Sequence, residues 1–309
     1  MNLDLSHLNA KLVLPADYKT IEFWLVGAGG TGSFMAMNLA RLAFELKLTG
    51  KRVNLNIVDP DTVEEGNIPR SNFCFAEIGL KKAETLAKRI AQAWGMEVGF
   101  VNEGYRSALL DSKSDDWNAE HLDSNKLIFL VACVDNYLAR KELHETLKLY
   151  NEKSYYAVPR LWWIDGGNGR DSGQVLIGNR LDKKEICQSA NKSPILSLLP
   201  APSLQHPELL EPETLKTEVH SNQRLTNGLT CAERIRLGEQ SLNINQRVAV
   251  EMSEILSEFL LTQKLKRCAV YFDLESGSSR SVYSNPEAIT AAAHFQTKSK
   301  REKIKAVNK

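Results

Sequence analysis

The chain has 309 residues, 43% of them hydrophobic and 25% charged, with a formal net charge of +1. That length suffices for one large or two ordinary domains with a substantial core. The near-neutral balance excludes a whole-chain field that would draw the protein to nucleic acid or to an acidic membrane. No stretch reaches the ~18 uninterrupted apolar residues of a membrane span, and Met1 to Leu14 lacks the basic-then-apolar order of a secretory signal. A cytoplasmic protein with no membrane partner is expected. The five cysteines, Cys74, Cys133, Cys187, Cys231 and Cys268, are scattered and never form a C-x-x-C pair. They read as thiols in a reducing compartment, with neither a disulfide framework nor a structural zinc.

Taken in order, Ile21 to Val26 reads as a buried strand that runs into Gly27-Ala28-Gly29-Gly30-Thr31-Gly32, and helical spacing then carries Phe34, Met35, Leu39, Leu42, Ala43 and Leu46 to a stop at Gly50. Val53 to Val58 alternates and ends at Asp59, a second strand parallel to the first. After a polar, turn-rich stretch, Gly79 opens a helix through Ile90, and Glu97 to Val101 is a third strand. Residues 102 to 125 are strongly polar, and a short helix or a mobile insertion is expected there. Leu127 to Ala132 is an apolar strand followed by Asp135, a helix spans 137 to 150, and Leu161 to Ile164 is a further strand. The glycine-dense run Asp165 to Gly173 reads as a sharp connection to a strand at Gln174 to Ile177.

The character changes over 179 to 230, where Pro194, Pro200, Pro202, Pro207 and Pro212 suggest a long crossover or lid-like segment. A long helix is expected from Cys231 to about Gln263 and a closing strand at Ala269 to Leu274, with a basic, solvated tail over 276 to 309. The fold expected is α/β, a Rossmann-like, doubly wound, mostly parallel sheet with an extended crossover and additional C-terminal strands. Residues 1 to 275 would form a single domain.

The glycine turn carries the first chemical hypothesis. Gly27 takes the tight turn, Gly29 lets backbone N–H groups approach a phosphate, and Gly32 lets the following helix pack close, its positive end aimed at the anion. The turn alone suits NAD, FAD and ATP equally. Motifs further along the chain narrow the choice: Asp59-x-Asp61, Asn67-x-x-Arg70, Gly79-x-x-Lys82-Ala83, and Asp135-Asn136 with Arg140.

In that order and spacing these motifs resemble the ThiF/MoeB family, the adenylating core shared with ubiquitin-activating enzymes, over roughly residues 20 to 178. The chain is most similar to the plasmid-borne branch called PRTRC-system ThiF proteins. The resemblance implies ATP and Mg²⁺ as cofactors, a small ubiquitin-like or sulfur-carrier protein as partner, and a homodimer. The implied nucleotide site comprises Gly27, Gly29, Gly30, Thr31, Gly32, Asp59, Asp61, Asn67, Arg70, Lys82 and Asn136, with Arg70, Lys82 and Asp135 catalytic and Asp135 on the metal.

The residue types suit that chemistry in their own right. Asp59 at a strand end can accept both ribose hydroxyls. Arg70 is a planar fork for phosphate and Lys82 a mobile point charge. Asn67 can hold a phosphate or a metal-bound water, and Asp135 suits Mg²⁺, which needs few protein ligands. The attacking carboxylate is ionised near neutral pH, so no base is required. Two other readings stand beside this one. An NAD-dependent oxidoreductase would use the glycine turn and Asp59 but gives no reason for Arg70, Lys82 and Asp135 together. A catalytically idle nucleotide-binding assembly module of a plasmid-type system would bind ATP without turning it over.

Many members of the family pass the activated carboxyl to a cysteine. Cys231, at a helix start that would favour a thiolate, and Cys187, in the crossover, are the two candidates. The chain departs from the family's pattern at three places. Ser71 follows Arg70 where glutamine is common, and the zinc-binding cysteine pairs are missing. The first arginine is Arg41, which leaves Lys11 or Lys19 to replace an N-terminal arginine acting across a dimer.

Overall fold

Thr20–Val26 (β2) is apolar almost throughout because both of its faces are covered, and six of its seven residues are buried. Its side chains alternate between two cores: Ile21, Phe23 and Leu25 enter one, Trp24 and Val26 the other. That division fixes β2 at the centre of a sheet with helices on both sides. The computed structural model describes residues 6–111, 125–153, 158–212 and 241–294. In chain order, β1 (Leu12–Val13) and β2 lead to α1 (Gly30–Leu48), β3 (Arg52–Val58), α2 (Lys82–Trp94), β4 (Val98–Val101) and the short α3 (Ala108–Asp111). Next come β5 (Lys126–Ala132), α4 (Tyr137–Lys153), β6 (Leu161–Asn168), β7 (Ser172–Gly178), α5 (Lys183–Lys192), β8 (Ile195–Leu196) and α6 (Pro202–Gln205). The last described elements are α7 (Ile244–Leu260), β9 (Arg267–Asp273), β10 (Ser279–Tyr283) and α8 (Pro286–Ala293).

Eight strands form one sheet in the order β10-β9-β7-β6-β5-β2-β3-β4, while β1 and β8 pair separately in parallel. From β4 to β6 the neighbours are parallel, and from β6 to β10 they are antiparallel. The mostly parallel, Rossmann-like α/β sheet expected from the sequence is therefore present, with additional C-terminal strands. The larger core joins α1, α2 and α7 to one face, and the smaller holds Leu143 and Leu147 of α4 on the other. Because the chain leaves β2 towards β3 on one side and later returns at β5 on the other, a crevice opens above the carboxyl ends of these strands. Among the described residues no helix is long and apolar enough to cross a membrane.

Three local expectations are corrected. Gly166 and Gly167 lie within β6 rather than in a connection, and only 169–171 separate β6 from β7. A Cβ on Gly166 would lie 2.4 Å from Met252 Sδ and 2.8 Å from Val248 Cγ1, so this glycine admits α7 against the strand instead of turning the chain. The crossover contains a regular helix: Asp182 caps α5 by accepting the Glu185 N–H at 2.9 Å, and the prolines begin only after α5 ends. Most of the expected tail up to residue 293 is also structured. Ser279–Tyr283 pairs with β9, and Asn285 caps α8 through the Ala288 N–H at 2.8 Å while Ile289 and Ala293 are buried. The described part of the long C-terminal helix is Ile244–Leu260, and Cys231 lies outside the described residues.

α7 is held to the sheet by an aromatic cluster in which Phe259 sits with its ring centroid 4.5 Å from that of Trp162 and 5.9 Å from that of Phe129. All three are fully buried. Phe259→Ala should cost about 3–5 kcal/mol in chemical denaturation; a loss under about 1 kcal/mol would show that α7 does not depend on this contact.

Candidate functional site

The end of β2 is shaped by two close approaches. Gly27 adopts φ +90°, and a Cβ there would lie 2.5 Å from the Cys133 carbonyl oxygen just past β5. A Cβ on Gly32 would lie 1.9 Å from the Gly27 carbonyl oxygen, so the first turn of α1 rests directly on the strand end. The N-terminus of α1, with its unpaired N–H groups and positive dipole end, therefore faces the crevice. Gly32 itself lies beneath this turn and not in the crevice wall.

Asp59, one residue past β3, is 5% exposed and fastens the turn. Its Oδ2 accepts the Ala28 N–H at 2.6 Å and its Oδ1 accepts the Asp61 N–H at 2.9 Å. Burial pushes its carboxyl up from the ordinary aspartate value. The two backbone N–H groups and the Lys82 ammonium work against that rise, and the Asp61 carboxylate adds to it. Asp61 is more exposed and holds Lys82 twice, through Lys82 Nζ to Oδ2 at 3.0 Å and the Lys82 N–H to its own carbonyl at 3.0 Å. Lys82 opens α2 and is 7% exposed. Arg70 ends the 3-10 turn Glu65–Arg70 and is 6% exposed.

On the other side of β2, Asp135 and Asn136 are exposed in the loop between β5 and α4. Arg140 on α4 places its Nε 3.2 Å from each oxygen of Asp165, a fully buried carboxylate in β6. Such a pair tolerates burial only while both partners remain. The Cys133 thiol is pushed well up by burial and, secondarily, by Asp165; it is not an activated nucleophile.

These groups surround one open cleft of about 1730 Å³. Gly27, Gly29, Gly30, Thr31, Asp59, Asp61, Asn67, Arg70, Lys82, Asp135 and Asn136 all line it, as does Arg140. The two asparagines are engaged as well: Asn67 Oδ1 accepts the Glu64 N–H at 2.9 Å, and Asn136 Oδ1 accepts the Ala139 N–H at 2.9 Å. Both asparagines therefore shape local turns as well as facing the cleft. Cys187 is not brought to it. This residue sits on α5 with Sγ 3.6 Å from His294 Nε2, where α5 packs on α8 away from the cleft lining. Lys11 is also spoken for, its Nζ donating to the carbonyls of Ala190 and Ser193 at 2.7 Å each. Among the described residues no group of three or more His, Cys, Asp or Glu side chains is placed to hold a metal ion by itself.

Sequence reasoning missed three contributors. Asp165 ends the buried core of an apolar strand, a signal of the same kind that marked Asp59. Asn245 lines the cleft from α7 and bonds Thr31 across 214 positions, for which the sequence carries no local sign. Tyr271, with its hydroxyl 2.7 Å from His206 Nε2, lines the far wall, and burial chiefly pushes that hydroxyl up to about 12. Glu208 Oε1 lies 2.7 Å from His206 Nδ1 and completes a chain of three.

The fold and the switch-point cleft define an α/β protein of the Rossmann-like type. The model of the ThiF family matches residues 15–199, and the chain belongs to that family. Among solved structures it is similar to PaaA, in its selenomethionine form, at TM-score 0.50 and 15% identity, covering 86% of this chain and 64% of that one. It is also similar to E. coli MccB crystallised with AMPCPP and MccA, at TM-score 0.49 and 12% identity, covering 91% and 66%. At these identities the likeness is one of fold, and the chain spans slightly less than two thirds of the length of either structure. A search of curated proteins gives no significant match.

The raised Asp59 carboxyl has a measurable consequence. As pH climbs, the unfolded chain releases this proton first, near the ordinary value of ~3.9. Asp59 therefore supports folding most below that pH, and its contribution declines as pH rises through the higher folded value. Asp59→Asn should gain in melting temperature relative to wild type as pH rises above the ordinary aspartate value of ~3.9; a gap that stays constant or moves the other way contradicts the assignment.

Proposed function

We propose that this protein is an ATP- and Mg²⁺-dependent adenylyltransferase acting on the C-terminal carboxylate of a small ubiquitin-like or sulfur-carrier protein. The observation that carries the reading is the convergence of Arg70, Lys82 and Asp135, which lie far apart in sequence, on the cleft that the glycine turn opens. A bound dinucleotide has no need of that trio, whereas a triphosphate about to lose pyrophosphate requires cations spread along it. Membership of the ThiF family supports the same chemistry.

In this reading Asp59 receives the ribose hydroxyls on lone pairs left over from its two backbone bonds. The N–H groups at the start of α1 face the phosphates. Arg70 and Lys82 supply the fixed positive charge, and Asp61 holds the Lys82 ammonium at the cleft wall. Asp135, an exposed carboxylate on the cleft wall, suits a Mg²⁺ ion that keeps water and phosphate oxygens as its other ligands. The ion, when bound, would neutralise phosphate charge as pyrophosphate departs. A carboxylate oxygen of the carrier attacks the α-phosphorus, the bond to the bridging oxygen of the β-phosphate breaks, and an acyl adenylate and pyrophosphate result. The cleft volume of about 1730 Å³ exceeds the ~300–1,000 Å³ usual for one small ligand, which leaves room for a second reactant along Gly167, Gln174 and Tyr271.

The PRTRC-system branch and the homodimer belong to this proposal on the family resemblance, the cytoplasmic location on the composition of the chain, and nucleic acid has no part in it. If a thioester is formed next, Cys231 is the acceptor favoured here, because Cys187 lies off the cleft beside His294. Cys231→Ala should keep ATP–pyrophosphate exchange and lose the thioester; a thioester that persists removes Cys231 from the mechanism.

The defining assay is ATP–pyrophosphate exchange with candidate carriers ending in Gly-Gly. Arg70→Ala and Lys82→Ala should each lower the exchange rate by about 10²-fold or more. Exchange that survives both substitutions contradicts the proposal. ATP binding with no pyrophosphate release for any carrier supports the idle assembly module, and NADH binding untouched by Asp135→Ala supports the oxidoreductase.

A further inference from the structure

Asn245, the second residue of α7, is 3% exposed and reaches the cleft wall. Its Oδ1 accepts the Thr31 hydroxyl at 3.1 Å, and its Nδ2 donates to the Arg70 carbonyl oxygen at 3.3 Å. The same amide fills the space above Gly30, where a Cβ would lie 2.6 Å from Nδ2. One planar group thus touches the first turn of α1 and the end of the turn that carries Arg70. Further along, Asn38 Nδ2 of α1 donates to the Ala249 carbonyl of α7 at 3.2 Å, so the two helices run side by side in the same direction. Asn245 pins their cleft-facing ends.

We infer that Asn245 is a positioning residue that sets the separation between the N–H groups opening α1 and Arg70, so that both act on the phosphates of one bound nucleotide. The inference rests on the cleft being an ATP site and deepens that reading. Asparagine suits the task because it presents one acceptor and one donor in a fixed plane. An aspartate would turn a second acceptor onto the Arg70 carbonyl, and an aliphatic residue would leave the buried Thr31 hydroxyl without this partner. Losing the brace displaces the groups that meet the phosphates and leaves the ribose contact at Asp59 in place. The loss of affinity should therefore fall on ATP and spare adenosine.

Calorimetric titration of the full chain with ATP and with adenosine tests this on wild type, Asn245→Ala, Thr31→Val and the double variant. Asn245→Ala should weaken ATP roughly tenfold and adenosine by less than about twofold. Thr31→Val, which removes the same hydrogen bond from the other side, should weaken ATP severalfold, and the double variant should resemble Asn245→Ala alone. Equal weakening of ATP and adenosine, or unchanged ATP affinity in the variants, overturns the inference while leaving the nucleotide site standing. Thr31→Val carries the comparison if Asn245→Ala fails to fold. A wild-type chain that binds neither ligand removes the ATP reading and this inference with it.

Discussion

The cleft depends on one buried carboxylate. Asp59 accepts backbone N–H groups from Ala28 on one side and Asp61 on the other, and so joins the glycine turn after β2 to the loop after β3. A desolvated carboxylate is costly unless its lone pairs are met, and these two N–H groups offset part of that cost. Through Asp61 the same tie extends to Lys82 at the start of α2. The turn, Asp59 and Lys82 are therefore one connected unit with little freedom to drift apart.

A second layer of constraint comes from the other side of the sheet switch. Arg140 and Asp165 form a nearly buried pair, whose value lies in fixing α4 against β6 more than in net stability. The loop above them presents Asp135 to the cleft. The cations Arg70 and Lys82 stand on one wall of the cleft and the exposed Asp135 carboxylate belongs to the loop after β5. This division suits the polyphosphate and accompanying cation of the proposed function. The antiparallel strands β7 and β9 then prolong the cleft past the nucleotide-sized region, towards Gln174 and Tyr271.

Much of this was legible in the sequence because parallel α/β folds place their chemistry at strand ends that succeed one another in chain order. Gly27 to Gly32, Asp59, Lys82 and Asp135 each come directly after an apolar run or at a helix start, so local pattern was enough to find them. Asn245 was not legible, since the contact it makes is created by packing between α1 and α7, whose meeting residues are 214 positions apart. Gly166 reads as part of a turn in the sequence because composition does not distinguish a bend from a strand that a helix approaches closely. The asparagines at 67 and 136 matched a family motif, yet each also satisfies a backbone N–H nearby. Asparagine serves both purposes with the same atoms. Cys187 has the right residue type and lies in the expected segment, but α5 carries it away from the cleft, which no linear pattern encodes.

In the proposed reaction the α-phosphorus of ATP becomes bonded to a carrier's terminal carboxylate. This step is tested most directly by tracing the fate of label from ATP carrying radioactive phosphorus at either the α or the γ position. The α-label should travel with the carrier protein under mild denaturing conditions while the γ-label is recovered in pyrophosphate. Transfer of γ-label to the carrier, or nucleotide binding with neither label displaced in the presence of any Gly-Gly carrier, would contradict it.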